Sequence, residues 1–149
     1  MRIVIQRVKE ASVTIDSQVK SAIGAGFMVL VGVTHSDTAA DAEWLAQKTV
    51  NLRVFDDDNG VMNRSIIDCG GEILAVSQFT LYASTKKGNR PSYIHAAGHD
   101  IAVPMYEHYC RCLSNLMGKE TKTGVFGADM KVALINDGPV TIIIDSENR

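Results

Sequence analysis

The N-terminal part of the chain alternates between apolar and polar residues, which is the pattern of β-strands with one buried face. Residues 2–8 alternate with a period of two, and after the charged pair Lys9-Glu10 residues 11–15 do so again. We predict a hairpin at this charged pair, continued by a further strand over residues 18–22. Residues 26–33 form an unbroken apolar run, which predicts a strand covered on both faces.

The pattern then changes to a helical period. A capping residue at Ser36 or Asp37 precedes apolar residues at helical spacing, so we predict a first helix that covers the sheet. A second helix is predicted after Asp100, with Pro104 in its first turn and Gly118 at its end. The apolar positions are Ala42, Trp44, Leu45, Val50 and Leu52 in the first helix, and Met105, Tyr109, Cys110, Leu113, Leu116 and Met117 in the second.

The composition is that of an ordinary globular protein. Hydrophobic residues make up 46% and charged residues 21% of the 149 residues, so we expect one domain spanning residues 1–149. No run approaches the roughly 18 apolar residues that a membrane span requires, and the N-terminus lacks the pattern of a signal peptide. We therefore expect a soluble, cytoplasmic protein whose three cysteines are reduced.

A buried strand predicted over residues 72–76 ends in an abrupt change from aliphatic to polar residues, Ser77-Gln78-Phe79-Thr80-Leu81. Such strand ends are where sites are assembled, and a hydroxyl here could act as a nucleophile if a base stood nearby. The sequence offers no evident base and no metal-ligand spacing among its four histidines. Alternatively, this segment holds the ester carbonyl of a ligand or merely caps the strand.

A second motif, Asn136-Asp137-Gly138-Pro139-Val140-Thr141, lies between the apolar runs 132–135 and 140–144. Its Asn, Asp, Gly and Pro residues favour a turn, so we predict a hairpin between two buried strands. Gly138 presents a bare backbone, and a Gly-Pro bond takes the cis form at a cost of only about 0.5–1 kcal/mol. A functional element that points main-chain carbonyls at a ligand is the alternative.

The charge pattern leaves room for one local basic patch. A net charge of −2 argues against a protein that coats nucleic acid without sequence preference. Lys86, Lys87 and Arg90 nevertheless cluster in a loop broken by glycine and proline. This loop is either a solvated surface loop or a contact for phosphates.

With both motifs in hand, the chain closely resembles the D-aminoacyl-tRNA deacylase family. The likeness covers essentially the whole length, including the start over residues 2–8, the loop over residues 87–92, and Phe126-Gly127-Ala128 before the last strands. Tyr93, where many members carry phenylalanine, is a departure that touches no inferred chemistry. The intact motifs favour the D-specific enzyme over a related animal deacylase whose Gly-Pro pair has different flanking residues.

The resemblance implies a mixed α/β fold in three layers, β/β/α, with sheets stacked in a barrel-like arrangement and helices packed outside. It implies a homodimer in which a cis Gly138-Pro139 reaches into the partner subunit's pocket. The implied reaction hydrolyses the ester that joins a D-amino acid to the 3′ adenosine of tRNA, with no metal, organic cofactor or membrane. Because a filter that crowds the Cβ position cannot exclude glycine, glycyl-tRNA mischarged on alanine tRNA is an expected further substrate.

The same resemblance implies site residues. The catalytic residues are Ser77, Gln78, Phe79 and Thr80, and those for substrate binding and chiral selection are Gly138, Pro139, Arg7, Asn136, Phe126 and Met130. From their charge, our own candidates for contacts with tRNA phosphates are Lys86, Lys87 and Arg90, with Lys119 and Lys122 as further candidates. Two roles stay open for Thr80: it is the nucleophile, or the substrate's 2′-hydroxyl assists an attacking water.

An aminoacyl ester is already activated, so a site that positions it and stabilises the oxyanion with amide donors needs no catalytic triad. Two rival interpretations are a non-catalytic binding module and a serine- or threonine-dependent esterase of small molecules.

Overall fold

The computed structural model describes residues 1–149 and contains eight β-strands and three α-helices. In chain order they are β1 Arg2–Ile15, β2 Gln18–Ile23, β3 Gly26–Gly32, α1 Ala39–Asn51, β4 Phe55–Asp56, β5 Met62–Arg64, α2 Ile66–Cys69, β6 Glu72–Ser77, α3 His99–Met117, β7 Lys122–Thr123 and β8 Lys131–Asp145. None of the helices is both long enough and apolar enough to cross a lipid bilayer.

Six of the strands form one mixed sheet. Its order is β2-β1-β3-β6-β7, and β8 pairs with the other edge of β1. β1 is antiparallel to β2, β3 and β8, whereas β3, β6 and β7 run parallel to one another. β4 and β5 form a separate two-stranded hairpin.

β1 is one long strand, so the hairpin predicted at Lys9-Glu10 is wrong. Its first half pairs with β3 and its second half pairs with β2, while β8 follows both halves from Arg2 to Thr14. The charged pair is exposed and lies at irregularities in the pairing with β8. A charged dipeptide that would favour a turn locally is therefore held extended by hydrogen bonds to a distant strand. The further strand predicted over residues 18–22 is confirmed as β2, which pairs with the second half of β1 across a turn at Asp16 and Ser17.

The sheet folds over itself, which confirms the predicted barrel-like, three-layer arrangement. Along β3, Phe27, Val29 and Val31 face a core shared with α1 and α3, whereas Met28 faces a second core. This second core contains Val13 from the later half of β1, with residues of β2, β6 and β8. Because β3 packs on both faces, its continuous apolar run is buried as predicted.

The predicted helices are confirmed, but their N-terminal ends lie elsewhere. α1 begins after Thr38, which forms a capping box with Asp41, rather than at Ser36 or Asp37. α3 begins at His99, so Pro104 lies inside the helix and not in its first turn. An exposed proline at the sixth helical position removes only one intrahelical hydrogen bond, and the packing of the following turns outweighs that loss. α3 ends at Gly118, as predicted.

Candidate active site

A cavity of about 560 Å³, here called the main cavity, lies at the carboxyl ends of the parallel strands β3 and β6. Its other walls come from the start of α3, from residues 126–129 and from the start of β8. The lining is mostly apolar, with a small number of polar residues. A preformed pocket of this size and character is typical of a site for a small organic group.

The first motif contributes two of the polar residues of the main cavity. Ser77, Gln78 and Phe79 line it directly. The backbone N–H of Gln78 donates to the Val31 carbonyl at 2.7 Å. The chain then tightens into a 3₁₀ turn over Phe79–Tyr82. Thr80 does not line the cavity, but its hydroxyl accepts a hydrogen bond from the side-chain amide of Gln78. Thr80 has no hydrogen bond to a histidine or a carboxylate, so the structure provides no adjacent base for it.

Aromatic residues from α3 and from the segment before β8 form the wall around Phe126. The Phe126 ring packs edge-on against His99 at 5.3 Å and against Tyr106 at 5.9 Å between centroids. Burial, with the neighbouring Cys110 and Glu107, raises the pKa of Tyr106 far above its usual value. Tyr106 therefore stays protonated, and its hydroxyl donates to the Ala75 carbonyl of β6 at 2.7 Å. This bond ties α3 to the strand that ends in the first motif.

Two partly exposed aromatic rings stand at the main cavity. Phe79 is 54% exposed and Tyr93 is 40% exposed, and their rings meet at 5.0 Å in a T-shaped pair. Both residues belong to the cavity lining, although sequence reasoning gave Tyr93 no part in the chemistry. The sequence alone could not reveal this, because Tyr93 reaches the cavity only through a tertiary contact. Residues 93–97 fold so that Ala96 and Ala97 lie beside the end of β3.

The second motif lies within a single strand, so the hairpin predicted there is wrong. β8 runs unbroken through it and pairs with β1 on both sides. Between the pairs Gln6–Thr141 and Val8–Asn136, β1 has one residue, residue 7, whereas β8 has residues 137–140. The surplus residues cannot pair, so they bulge from the sheet. Gly138 and Pro139 are exposed, and the peptide bond between them is cis.

Arg7, the single residue opposite this bulge, supports it through a hydrogen bond. It is only 9% exposed, and its Nε donates to the Asp137 carbonyl at 3.0 Å while Nη1 donates to the Val54 carbonyl. Nη2 lies 3.0 Å from the position that a Cβ on Gly138 would occupy. The Asn136 side-chain oxygen is buried beside the motif without a hydrogen-bond partner. A larger residue at position 138 would thus collide with the group that supports the bulge.

The predicted site residues accordingly fall into three groups. Ser77, Gln78, Phe79, Phe126 and Met130 meet at the main cavity, with Thr80 directly behind Gln78. Arg7, Asn136, Gly138 and Pro139 form the bulge and do not line that cavity. The third group, Lys86, Lys87 and Arg90, lies in an exposed loop closed by the pairing of Ser84 with Ser92.

The two further basic candidates are already engaged within the chain, since Lys119 donates to the Gly70 carbonyl at 3.1 Å and Lys122 pairs with Glu120 at 3.4 Å. No group of three histidine, cysteine, aspartate or glutamate side chains lies close enough together to hold a metal ion.

Comparison with known proteins shows clear relatives. The family described as "D-Tyr-tRNA(Tyr) deacylase" matches residues 4–145. The D-aminoacyl-tRNA deacylase of Parabacteroides distasonis is 64% identical over 149 residues, covering 100% of this chain and 99% of the relative. The D-aminoacyl-tRNA deacylase of Flavobacterium psychrophilum is 58% identical with the same coverage.

Solved structures show the same fold. A structure titled "c-Myc DNA Unwinding Element Binding Protein" superposes with a TM-score of 0.92 at 41% identity, covering 97% of this chain and 98% of the other. A probable eukaryotic D-amino acid tRNA deacylase superposes with a TM-score of 0.83 at 15% identity, covering 96% and 97% of the two chains, and supports the fold alone. With the family match extending over nearly all of its length, the chain belongs to the D-Tyr-tRNA(Tyr) deacylase family.

Proposed function

We propose that this protein hydrolyses the ester bond of D-aminoacyl-tRNA and so removes D-amino acids from tRNA before translation. The observation that carries the proposal is a mostly apolar cavity lined by Ser77, Gln78 and Phe79 of the first motif, in a chain that belongs to this deacylase family. The reaction places the protein where tRNAs are charged, in the cytoplasm. The main cavity takes the aminoacyl group together with the 3′ adenosine.

The chemistry rests on positioning and on backbone amides. At the start of a helical turn the first N–H groups have no acceptor within the turn, and here they belong to Phe79 and Thr80. Aimed at the ester carbonyl, such donors stabilise the oxyanion that forms when water attacks. The carbonyl carbon then loses the 3′ oxygen of the adenosine as the leaving group. Because the ester is already activated, no step is assigned to a metal or an organic cofactor.

The main cavity by itself lacks the element proposed to select the D-substrate. Gly138 and Pro139 are exposed in the bulge of the second motif and do not line the cavity of their own chain. We propose that they enter the main cavity of a second copy, so that the active unit is a homodimer. The exposed side chains of β8 support such an interface, since Ile135 is 51% and Ile143 is 66% exposed.

The backbone of the bulge would then distinguish D- from L-amino acids. Carbonyl groups of the bulge occupy the place where the Cβ of an L-amino acid would project, whereas the Cβ of a D-amino acid points elsewhere. Arg7 holds the bulge in shape, Asn136 stands at the start of the bulge, and Phe126 and Met130 form the wall of the main cavity. Glycine has no Cβ to reject, so glycyl-tRNA mischarged on alanine tRNA is proposed as a second substrate.

The acceptor stem is proposed to lie across the basic loop. Lys86, Lys87 and Arg90 are exposed and make no ion pair within the chain, which leaves them available for phosphates. Because Lys119 and Lys122 are occupied by partners of their own, they are the weaker candidates.

A turnover assay with matched substrates tests the proposal. The protein is incubated with an excess of tRNA carrying D-tyrosine, L-tyrosine or glycine, and release of the free amino acid is followed. We expect many turnovers per protein with the D-substrate, an appreciable rate with glycyl-tRNA and almost none with L-tyrosyl-tRNA. Binding without turnover would identify a binding module instead. Equal hydrolysis of simple D-amino acid esters would identify a general esterase.

A further inference from the structure

A second cavity of about 460 Å³, here called the polar cavity, opens beside the main cavity. Its lining comes from the first residue of β1, the segment after β3, the end of the 3₁₀ turn, the start of the basic loop and the C-terminal end of the chain. The side chains that give it chemical character are Arg2, Thr34, Tyr82, Lys86, His95 and Glu147. None of them has a role in the hydrolysis proposed above except Lys86.

Three parts of the chain contribute neighbouring residues to both cavities. Val33 lines the main cavity and Thr34 the polar one, Ala96 and His95 divide in the same way, and the 3₁₀ turn gives Phe79 to one and Tyr82 to the other. A hydrogen bond joins two of these parts between the cavities, since the Thr34 hydroxyl donates to the His95 carbonyl at 2.6 Å. The two cavities are therefore neighbours, so the polar cavity is the adjacent space for the nucleotide that precedes a last nucleoside placed in the main cavity.

The charges in the polar cavity fit a nucleotide better than a simple ion. The Arg2 guanidinium is already paired with Asp145 at 2.7 Å, whereas Lys86 and Glu147 make no ion pair through their side chains. An isolated anion would meet the Glu147 carboxylate, and an isolated cation would meet Lys86. A nucleotide with an exocyclic amino group satisfies both, since a lysine contacts phosphate and a glutamate accepts from the cytosine amino group.

Tyr82 adds an unused hydrogen-bonding group. The residue is 7% exposed, and its buried hydroxyl has no hydrogen-bond partner within the chain. Burial, with the nearby Asp37 and Asp145, raises the pKa of Tyr82 well above its usual value, so the phenol stays neutral and keeps its proton to donate. Buried polar groups in native proteins nearly always have partners, and a bound ligand is one way to supply one.

We propose that the polar cavity is a subsite for the penultimate nucleotide of the tRNA, the cytidine that precedes the terminal adenosine in the CCA end. Glu147 accepts a hydrogen bond from the cytosine amino group, and Lys86 contacts the adjoining phosphate. The inference rests on the proposed function, because it takes the main cavity as the place of the aminoacyl-adenosine. It adds a recognition element that lies outside the site of hydrolysis and reads one base.

The test changes that base and its proposed partner together. Short acceptor-stem RNA hairpins carrying a D-tyrosyl ester are prepared with cytidine or uridine at the penultimate position, and kcat/KM is measured for each. Uracil presents a carbonyl oxygen where cytosine has its amino group, so the native enzyme should prefer the cytidine hairpin by roughly 10-fold. Glu147→Gln replaces an acceptor by an amide that can serve either base, and should reduce this preference to within about 2-fold.

Glu107→Gln, an exposed glutamate on α3 outside both cavities, is the matched control and should keep the native preference. Equal rates on the two hairpins with the native enzyme, or an unchanged preference in Glu147→Gln, would overturn the subsite. D-tyrosyl-adenosine, which has no penultimate nucleotide, separates this failure from that of the proposed function. Turnover of D-tyrosyl-adenosine with no base preference on the hairpins rejects the subsite alone, whereas no turnover of any substrate rejects both.

Discussion

The Thr80 hydroxyl has one side-chain partner, the amide of Gln78, and an amide cannot act as a base. The nearby backbone offers a different kind of help, because the 3₁₀ turn that contains Thr80 begins at Phe79, which lines the main cavity, and its first amide groups have no acceptor within the turn. At the scale of single residues, the structure therefore favours a site that stabilises charge over one that forms a covalent intermediate. On this view, the expected contribution of Thr80 is to hold the Gln78 side chain in place.

Thr80→Ala should accordingly lower kcat/KM by no more than about 100-fold, whereas loss of an obligatory nucleophile costs on the order of 10⁶-fold in kcat. Thr80→Ser, which keeps the hydroxyl, should lie closer to the native enzyme. Steady-state kinetics on D-tyrosyl-tRNA give both values. Trapping of an acyl group on Thr80, shown by mass spectrometry of acid-quenched enzyme, would contradict this expectation.

At the scale of elements, the connection between β7 and β8 shapes the main cavity. A Cβ placed on Gly124, just after β7, would overlap the sulfur of Met130, and Met130 lines the cavity. The clash involves the far end of a flexible side chain, so Met130 can move aside at little cost in folding. The position of a wall residue thus depends on a glycine that does not itself line the cavity.

We expect Gly124→Ala to push Met130 into the main cavity and to slow hydrolysis of bulky substrates more than that of small ones. The ratio of kcat/KM for D-tyrosyl-tRNA to that for D-alanyl-tRNA should fall by roughly 10-fold, as for about 1.4 kcal/mol of crowding. Adding Met130→Ala to Gly124→Ala should restore much of the ratio. A ratio that stays at its native value, in a variant of native thermal stability, would show that Met130 does not move into the substrate's space.

The N-terminus of α1 carries a pH-dependent contribution to stability. Burial by itself would raise the pKa of Asp41, but hydrogen bonds from Thr38, Ser146 and Arg149 outweigh burial and hold this pKa well below its usual 3.8. A carboxylate whose pKa is depressed in the folded state stabilises that state above the unfolded pKa, and the stabilisation is lost as the pH falls. Asp41 also links α1 to the C-terminal Arg149, whose Nη2 lies 2.6 Å from Oδ1.

Asp41→Asn should therefore lower the free energy of unfolding at pH 7 by about 1 kcal/mol, the usual size of a lost cap interaction. The difference from the native protein should shrink as the pH drops below 3.8, because the native carboxylate is then being protonated in the unfolded chain. Urea unfolding at pH 7 and pH 3 measures both effects. Asp58→Asn, at a 91% exposed side chain, is the control and should change the free energy of unfolding little at either pH. If the destabilisation by Asp41→Asn were larger at pH 3 than at pH 7, this explanation would be wrong.

At the scale of the whole molecule, the two halves of the proposed site lie apart in one chain. The main cavity stands at the carboxyl ends of β3 and β6, and the bulge of β8 projects to solvent without lining it. If two copies complete each other, a chain with a damaged bulge and a chain with a blocked cavity are complementary. Gly138→Val damages the bulge, because φ at Gly138 is +129° and a Cβ there would lie 2.9 Å from Val140.

Gly138→Val and Gln78→Trp, each inactive as a homodimer, should regain about one quarter of native activity when mixed in equal amounts and allowed to exchange. Half of the randomly formed dimers are then mixed, and each has one intact composite site out of two. Differently tagged subunits and native mass spectrometry confirm exchange. Gly60→Val, at a φ of +72° on a turn with open space around it, controls for backbone strain alone and should stay active. Mixed dimers without activity, or a native protein that is an active monomer, would refute the shared site.

Much of this architecture follows from local pattern. The unbroken apolar run of β3, the helical spacing in α1 and α3, the end of α3 at Gly118 and the strand β2 were all predicted from residues close together in the chain. The two errors in the strands share one cause. Lys9-Glu10 and the Asn136-to-Pro139 segment carry turn residues, yet both lie inside strands because β1 and β8 pair along nearly their whole lengths.

The sequence by itself determined the two motifs and the family, since these depend only on which residues stand in order along the chain. Tertiary structure alone decided that Ser77, Phe126 and Met130 share a cavity, that Tyr93 belongs to it, and that Gly138 lies outside it. Those contacts join residues dozens of positions apart, and the register between strands sets them. In the pairing of β1 with β8, residue 7 faces residues 137–140, and this mismatch pushes the bulge out of the sheet. A local pattern carries no information about such a mismatch, because it becomes visible only when the two distant strands lie side by side.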